Sequence, residues 1–169
     1  PVTVDDYHDV LKAFQEKKGA TSPYGLAADG VTTPGDMQNA YGIIVPSTND
    51  MNGFYQVDGQ VHFGPIEEGF RKMLTTLNQW YSEGLIDTNF VSDTMSATSG
   101  EVDSSKIASG TVGIWRGYAT NLSNYEDNIG QGARVEGIPR MREKKDDILH
   151  FGLDVDNAAA NMSVSVSTA

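Results

Sequence analysis

The chain has 169 residues, 38% hydrophobic and 21% charged, which is the balance of one globular domain and not of a disordered segment. Acidic side chains number 23 against 12 basic ones, a formal charge of −11, and that field repels a phosphate backbone, so nucleic acid is excluded as the expected partner. Cysteine is absent, which removes disulfides, thiolate catalysis and cysteine-ligated zinc, and no apolar run reaches the ~18 residues of a membrane span.

The first element is legible residue by residue. Thr3 is a good N-cap, Asp6 stands three residues on as a short-armed capping box, and Asp5 and Asp6 place negative charge at the positive end of a helix dipole. Tyr7, Val10, Leu11 and Phe14 keep the spacing of one buried face, and Lys17, Lys18 and Gly19 close it. The pattern predicts a helix over Val4–Lys18. Ser22-Pro23-Tyr24-Gly25 and Thr33-Pro34-Gly35-Asp36 are turn chemistry. A short strand near residues 24–27, a short helix near 36–41 and a loop over 46–52 follow.

In Phe54-Tyr55-Gln56-Val57-Asp58-Gly59-Gln60-Val61-His62-Phe63, Asp58-Gly59 supplies the positive φ angles of a type I′ hairpin turn. That turn sets Val57 opposite Gln60, Gln56 opposite Val61, Tyr55 opposite His62 and Phe54 opposite Phe63. The face carrying Phe54, Val61 and Phe63 is expected to be the buried one. Pro65 suits the first turn of a second long helix, whose stripe runs through Ile66, Phe70, Met73, Leu74, Leu77, Trp80 and Tyr81 to a stop at Gly84. Leu85-Ile86-Asp87 opens an extended segment through Phe90, and residues 92–104, rich in Ser, Thr and Gly, are expected to form a surface loop. A short helix near 103–109 ends at Gly110, and Val112-Gly113-Ile114-Trp115 has the look of a buried strand. Gly117 breaks it before a loose helical pattern over 118–128. Residues 133–141 are extended around Pro139, Glu143-Lys144-Lys145-Asp146-Asp147 is a charged turn, and 148–151 and 162–166 are short strands. Helices alternating with short strands predict the α/β class.

Four of these segments also carry a family likeness. They are Pro1-Val2-Thr3-Val4-Asp5-Asp6-Tyr7 with Leu11-Lys12-Ala13-Phe14; Ala40-Tyr41-Gly42; Asp58-Gly59-Gln60-Val61 with Leu77-Asn78-Gln79-Trp80-Tyr81-Ser82-Glu83-Gly84-Leu85-Ile86-Asp87; and Gly110-Thr111-Val112-Gly113-Ile114-Trp115. In this order they resemble one lobe of an extracellular solute-binding protein, the receptor component of a bacterial ABC importer, of the Gram-positive lipoprotein type linked to carbohydrate uptake. The likeness covers most of residues 1–120. It implies a single α/β lobe over residues 1–169, the second lobe of a two-lobe receptor, with a type II periplasmic-binding-protein-like fold. Helices would pack on a short mixed sheet, and a β-hairpin would be added to it. It further implies non-catalytic capture of a carbohydrate or oligosaccharide by lobe closure. The partners would be the first lobe and an ABC permease, with no cofactor. The full-length protein would be extracellular and held at the cell surface through a lipidated cysteine outside these residues. The opening on Pro1 fits the same expectation of an excised lobe, which alone would bind sugar weakly or not at all.

An α/β lobe meets its ligand at the carboxyl ends of strands and the amino ends of helices. Ile114-Trp115-Arg116-Gly117-Tyr118 fits that position, since a strand ends, a glycine turns and a helix starts. Sugars present apolar C–H faces to aromatic rings and hydroxyls to Arg, Asn or Asp. Trp115, Arg116, Tyr118 and Asn121 are therefore the first ligand-binding candidates, and Tyr41 with Asn39 the second. The plainer alternatives are a Trp115 packed in its strand with Arg116 in solvent, and a Tyr41 packed at a helix end. Trp80 and Tyr81 belong to the core stripe of their helix.

Two other classes stay open: a glycoside-active enzyme domain and a cell-surface interaction module. Enzyme templates find little purchase. His8, His62 and His150 show no H-x-x-x-H spacing, G-x-S-x-G is absent, and no Lys-Ser/Thr follows Gly113 at phosphate-loop spacing. Asp154-Val155-Asp156-Asn157 lacks the glycine and distal Glu of a calcium loop and has the composition of a solvated turn. Carboxylate pairs for glycoside hydrolysis leave no recognisable spacing.

Overall fold

The computed structural model describes residues 1–25, 35–44, 53–90, 102–115, 119–130 and 132–147. Helix α1 spans Val4–Lys18, the expected range. Thr3 Oγ1 accepts from the Asp6 N–H at 3.1 Å, and Asp6 Oδ2 accepts from the N–H groups of Thr3 at 3.0 Å and Val2 at 2.9 Å. These bonds satisfy donors that a helix start leaves orphaned. They also hold the Asp6 carboxyl below its usual range, the Thr3 backbone bond being the main cause. Val4, Tyr7 and Leu11 are buried, and Val10 and Phe14 pack beside them.

Strand β1, Tyr24–Gly25, pairs in parallel with β4, Ile114–Trp115; Tyr24 faces Ile114 and Gly25 faces Trp115. Tyr24 also bridges Ile86 in parallel, with its N–H donating to Leu85 O at 2.9 Å. β1 is thus the middle of three parallel segments that join distant stretches of chain. Parallel neighbours need long crossovers, which the helices supply. Helix α2, Gly35–Tyr41, packs against α3, Glu68–Ser82.

Strands β2, Phe54–Val57, and β3, Gln60–Phe63, form the hairpin in the expected register, with Asp58 at φ 51° and Gly59 at φ 81°. The choice of buried face is corrected. Phe54 is 59% and Val61 75% exposed. The opposite face meets the body, where Tyr55 Oη donates to Gly42 O at 3.4 Å and His62 Nδ1 shares a hydrogen bond with Glu67 Oε1 at 3.1 Å. Tyr55 and His62 stack on one another and also carry polar ends, so that face satisfies both needs of a half-wet contact.

Pro65 starts a separate 3-10 turn, Gly64–Ile66, and Glu67 is extended at ψ 150° before α3 begins. Ile66 therefore falls off the helical stripe and is 79% exposed. Met73, Leu77 and Trp80 form the buried stripe, whereas Leu74 and Tyr81 lie on its exposed flank, and Tyr81 meets Phe90 edge-on. Tyr81 is thus not a core residue, a second correction; Trp80, at 1% exposure, is.

Asp103 caps helix α4, Ser104–Ala108, by accepting from Ser105 N–H at 2.8 Å; the described end of the expected loop, residues 102–103, carries no regular element, and Val102 there is buried. A 3-10 turn, Ala119–Asn121, leads into α5, Leu122–Ile129. Residues 133–140 carry no regular element, and Arg142 then bridges Thr3 in parallel, tying the late chain to the start of α1. Asp147 Oδ2 accepts from Lys144 N–H in the charged turn. The expected loop at 46–52, most of that at 92–104, and the strands at 148–151 and 162–166 lie outside the described residues.

Two hydrophobic clusters result. The larger gathers α1, α2, α3 and the parallel segments around Leu11, Met37, Met73, Trp80 and Leu85. The smaller consists of Val102, Ile107, Val112 and Tyr125, with Trp115, Ile129 and Val135 against it. The architecture is α/β, with helices around a small parallel sheet and a separate hairpin.

Candidate ligand-binding site

The three parallel segments run side by side. Gly25 lies beside Trp115, and Asp87 follows Ile86 one residue past its bridge to Tyr24. The outer two segments stand two strand spacings apart, about 10 Å. This carboxyl edge is where open parallel sheets hold ligands.

Trp115 ends β4 and is partly exposed. Its ring stands edge-on to Tyr125 of α5, with centroids 5.6 Å apart and planes at 87°. Tyr125 is buried, and the pair seals the small cluster. Asn121 occupies the N-cap position of α5, where its side chain makes no capping bond, and it is half-buried. It precedes Tyr125 by four residues. Trp115 meets Tyr125, and Asn121 stands at the start of the helix that carries Tyr125. Arg116 and Tyr118 lie outside the described residues.

Asn39 and Tyr41 sit elsewhere, on α2 in the large cluster. Asn39 is buried, and Tyr41 Oη shares a 2.6 Å hydrogen bond with Thr76 Oγ1 of α3. Burial pushes the Tyr41 phenol up, opposed by that bond. Neither of them belongs to the small cluster that holds Trp115.

Sequence reasoning missed three residues near the edge. Lys106 Nζ of α4 donates to Asp87 Oδ2 at 2.8 Å, both side chains about three-quarters buried, and Asp87 Oδ1 accepts from Asn89 N–H at 2.8 Å. The Lys106 bond holds the Asp87 carboxyl below its usual range, with burial opposing. The pair is self-neutralising and tethers the small cluster's helix to the sheet. Tyr125 is the third. Its spacing of four from Asn121 was the available signal, but nothing local connects it to Trp115. The histidines in the described residues have carboxylate partners: His8 Nε2 lies 2.7 Å from Glu83 Oε2, and His62 pairs with Glu67. Among the described residues no group of three or more His, Asp or Glu is placed to hold a metal. The sequence Asp154-Val155-Asp156-Asn157 lies outside them.

No family model matches the chain, and no curated protein matches it. Among solved structures it is similar to the ABC-transporter substrate-binding protein FusA of S. pneumoniae, an EF-hand mutant in complex with fructo-nystose. The TM-score is 0.54 at 23% identity, over 72% of this chain and 24% of that one. The chain therefore spans about a quarter of the length of that protein. At this identity the likeness is one of fold.

Proposed function

We propose that the chain is the solute-binding lobe of an ABC-transporter substrate-binding protein and that its solute is a neutral carbohydrate or oligosaccharide. The observation that carries this reading is the partly exposed Trp115 at the carboxyl edge of the parallel sheet, with Asn121 at the start of the helix that carries the tyrosine behind it. An indole covers the C–H face of a sugar ring, and an amide both donates to and accepts from its hydroxyls. Arg116 and Tyr118 complete the proposed contact set, and Asn39 with Tyr41 is a second, separate candidate. The likeness in fold to a substrate-binding protein and the four resembling segments support the same reading. The formal charge of −11 disfavours uronic acids and other anionic sugars.

Capture is non-catalytic in this reading. The solute is held between this lobe and a first lobe, and the closed receptor docks on an ABC permease. The full-length protein works outside the cell, held there by a lipidated cysteine. A single jaw supplies only part of the contacts, so this chain alone binds in the millimolar range.

Calorimetry of the 169-residue chain against fructo-nystose, maltooligosaccharides and oligogalacturonates tests the reading. Weak binding of a neutral glycan, weakened a further fivefold or so by Trp115→Ala, is expected. Nanomolar binding by this chain contradicts capture between two lobes. Binding indifferent to Trp115→Ala contradicts the site. Turnover of a chromogenic glycoside establishes the enzyme class instead.

A further inference from the structure

We infer that Tyr125 is a positioning residue, which fixes the Trp115 indole in the orientation that receives a sugar ring without touching the sugar itself. The inference rests on the reading of Trp115 as a ligand contact. Two observations carry it. First, the rings meet at 87° with centroids 5.6 Å apart, within the range of favourable edge-to-face pairs. In either perpendicular arrangement, tyrosine edge to indole face or indole edge to tyrosine face, Tyr125 leaves at least one indole face uncovered. Tyr125 is itself 8% exposed, so it contacts the indole from the protein side.

Second, the root of Trp115 is closely packed. Gly25 is its in-register neighbour on β1, and a Cβ added there would stand 2.9 Å from Val102 Cγ2, 3.1 Å from Trp115 Cβ and 3.3 Å from Val112 Cγ1. The space beside the tryptophan is therefore filled to contact by the small cluster. Backbone pairing and close packing fix the root of the side chain, and the Tyr125 ring is the aromatic contact that fixes the indole beyond it. A sugar then meets a ring already ordered, and the cost of ordering it on binding is avoided. Tyr125 comes from α5, the element that also presents Asn121, so one helix sets the stacking ring and the amide together.

The chain has two tryptophans, which makes the test selective. Each gives one indole N–H resonance in a ¹H–¹⁵N spectrum, and Trp80, at 1% exposure in the large cluster, serves as an internal reference. The spectrum is followed in the wild-type chain, Tyr125→Phe and Tyr125→Leu, without and with millimolar fructo-nystose and maltooligosaccharides. The inference expects Tyr125→Leu to move the Trp115 resonance, leave that of Trp80 in place and weaken the glycan response of Trp115 about fivefold or more. Tyr125→Phe keeps the ring and restores both. A Trp115 resonance or glycan affinity unchanged in Tyr125→Leu overturns the positioning role. So does a Trp80 resonance that shifts with it in both variants, which marks loss of the fold in place of loss of orientation. A wild-type chain whose Trp115 ignores every glycan overturns the underlying reading as well, and is distinguished by needing no Tyr125 variant.

Discussion

Asp87 shows how much of the site depends on single partners brought from far along the chain. It follows the bridged Ile86, where the chain turns over residues 88–89 instead of staying extended to Phe90 as expected, and Lys106 reaches it from α4 across 19 residues. Neither residue stands out in the sequence, because an aspartate after Leu85-Ile86 and a lysine in a short helix are both ordinary surface choices. The strand position of Trp115 was legible because Val112-Gly113-Ile114-Trp115 is an apolar run with a glycine two residues beyond it. Tyr125 was not, because its ring partner is set by tertiary packing. The ion pair yields a prediction with a definite sign. The folded chain holds the Asp87 carboxyl below the ordinary value of 3.8, so its contribution is present above that pH and is lost as the pH falls through the lower, folded value. Asp87→Asn should cost about 1 kcal/mol of stability at neutral pH, as expected for one partly accessible pair. Urea unfolding at about pH 7 and about pH 3 checks this: the gap between wild type and Asp87→Asn should narrow at the acid end. A gap unchanged by pH would mean that the pair adds no stability.

At the scale of elements, local signals set boundaries well and orientation poorly. The cap of Thr3 and Asp6 and the stop at Gly19 bound α1 as expected, because those hydrogen bonds are made within the element itself. The Asp58-Gly59 turn set the hairpin register for the same reason. Which hairpin face turns inward is decided elsewhere, by Gly42 and Glu67, and there the apolar count misled. The stripe of α3 was similarly right for Met73, Leu77 and Trp80, but wrong at Ile66, which the extended Glu67 cuts off from the helix, and at Leu74 and Tyr81, which lie on the exposed flank. Val61 separates the two accounts of the hairpin. Val61→Thr should change stability by no more than about 0.5 kcal/mol, as for an exposed position, where a buried valine would lose roughly 1.5 kcal/mol or more. Thermal unfolding of the variant reads the difference directly, and a large loss would restore the buried face.

The whole molecule consists of a large cluster built on α1 and α3 and a small one built on α4 and α5, joined at the parallel pairing of β1 with β4 and by the Asp87–Lys106 bridge. The α/β class was legible from alternating helices and short strands. The division into two clusters was not, because parallel neighbours 90 residues apart leave no periodic trace. The proposed function lives where the two clusters meet. Determining the structure of the chain with a neutral oligosaccharide bound tests it most directly. The account predicts a sugar ring in van der Waals contact with the Trp115 indole and a hydroxyl hydrogen-bonded to Asn121. A sugar seated on the exposed Phe54–Phe63 face of the hairpin, with Trp115 untouched, would contradict it.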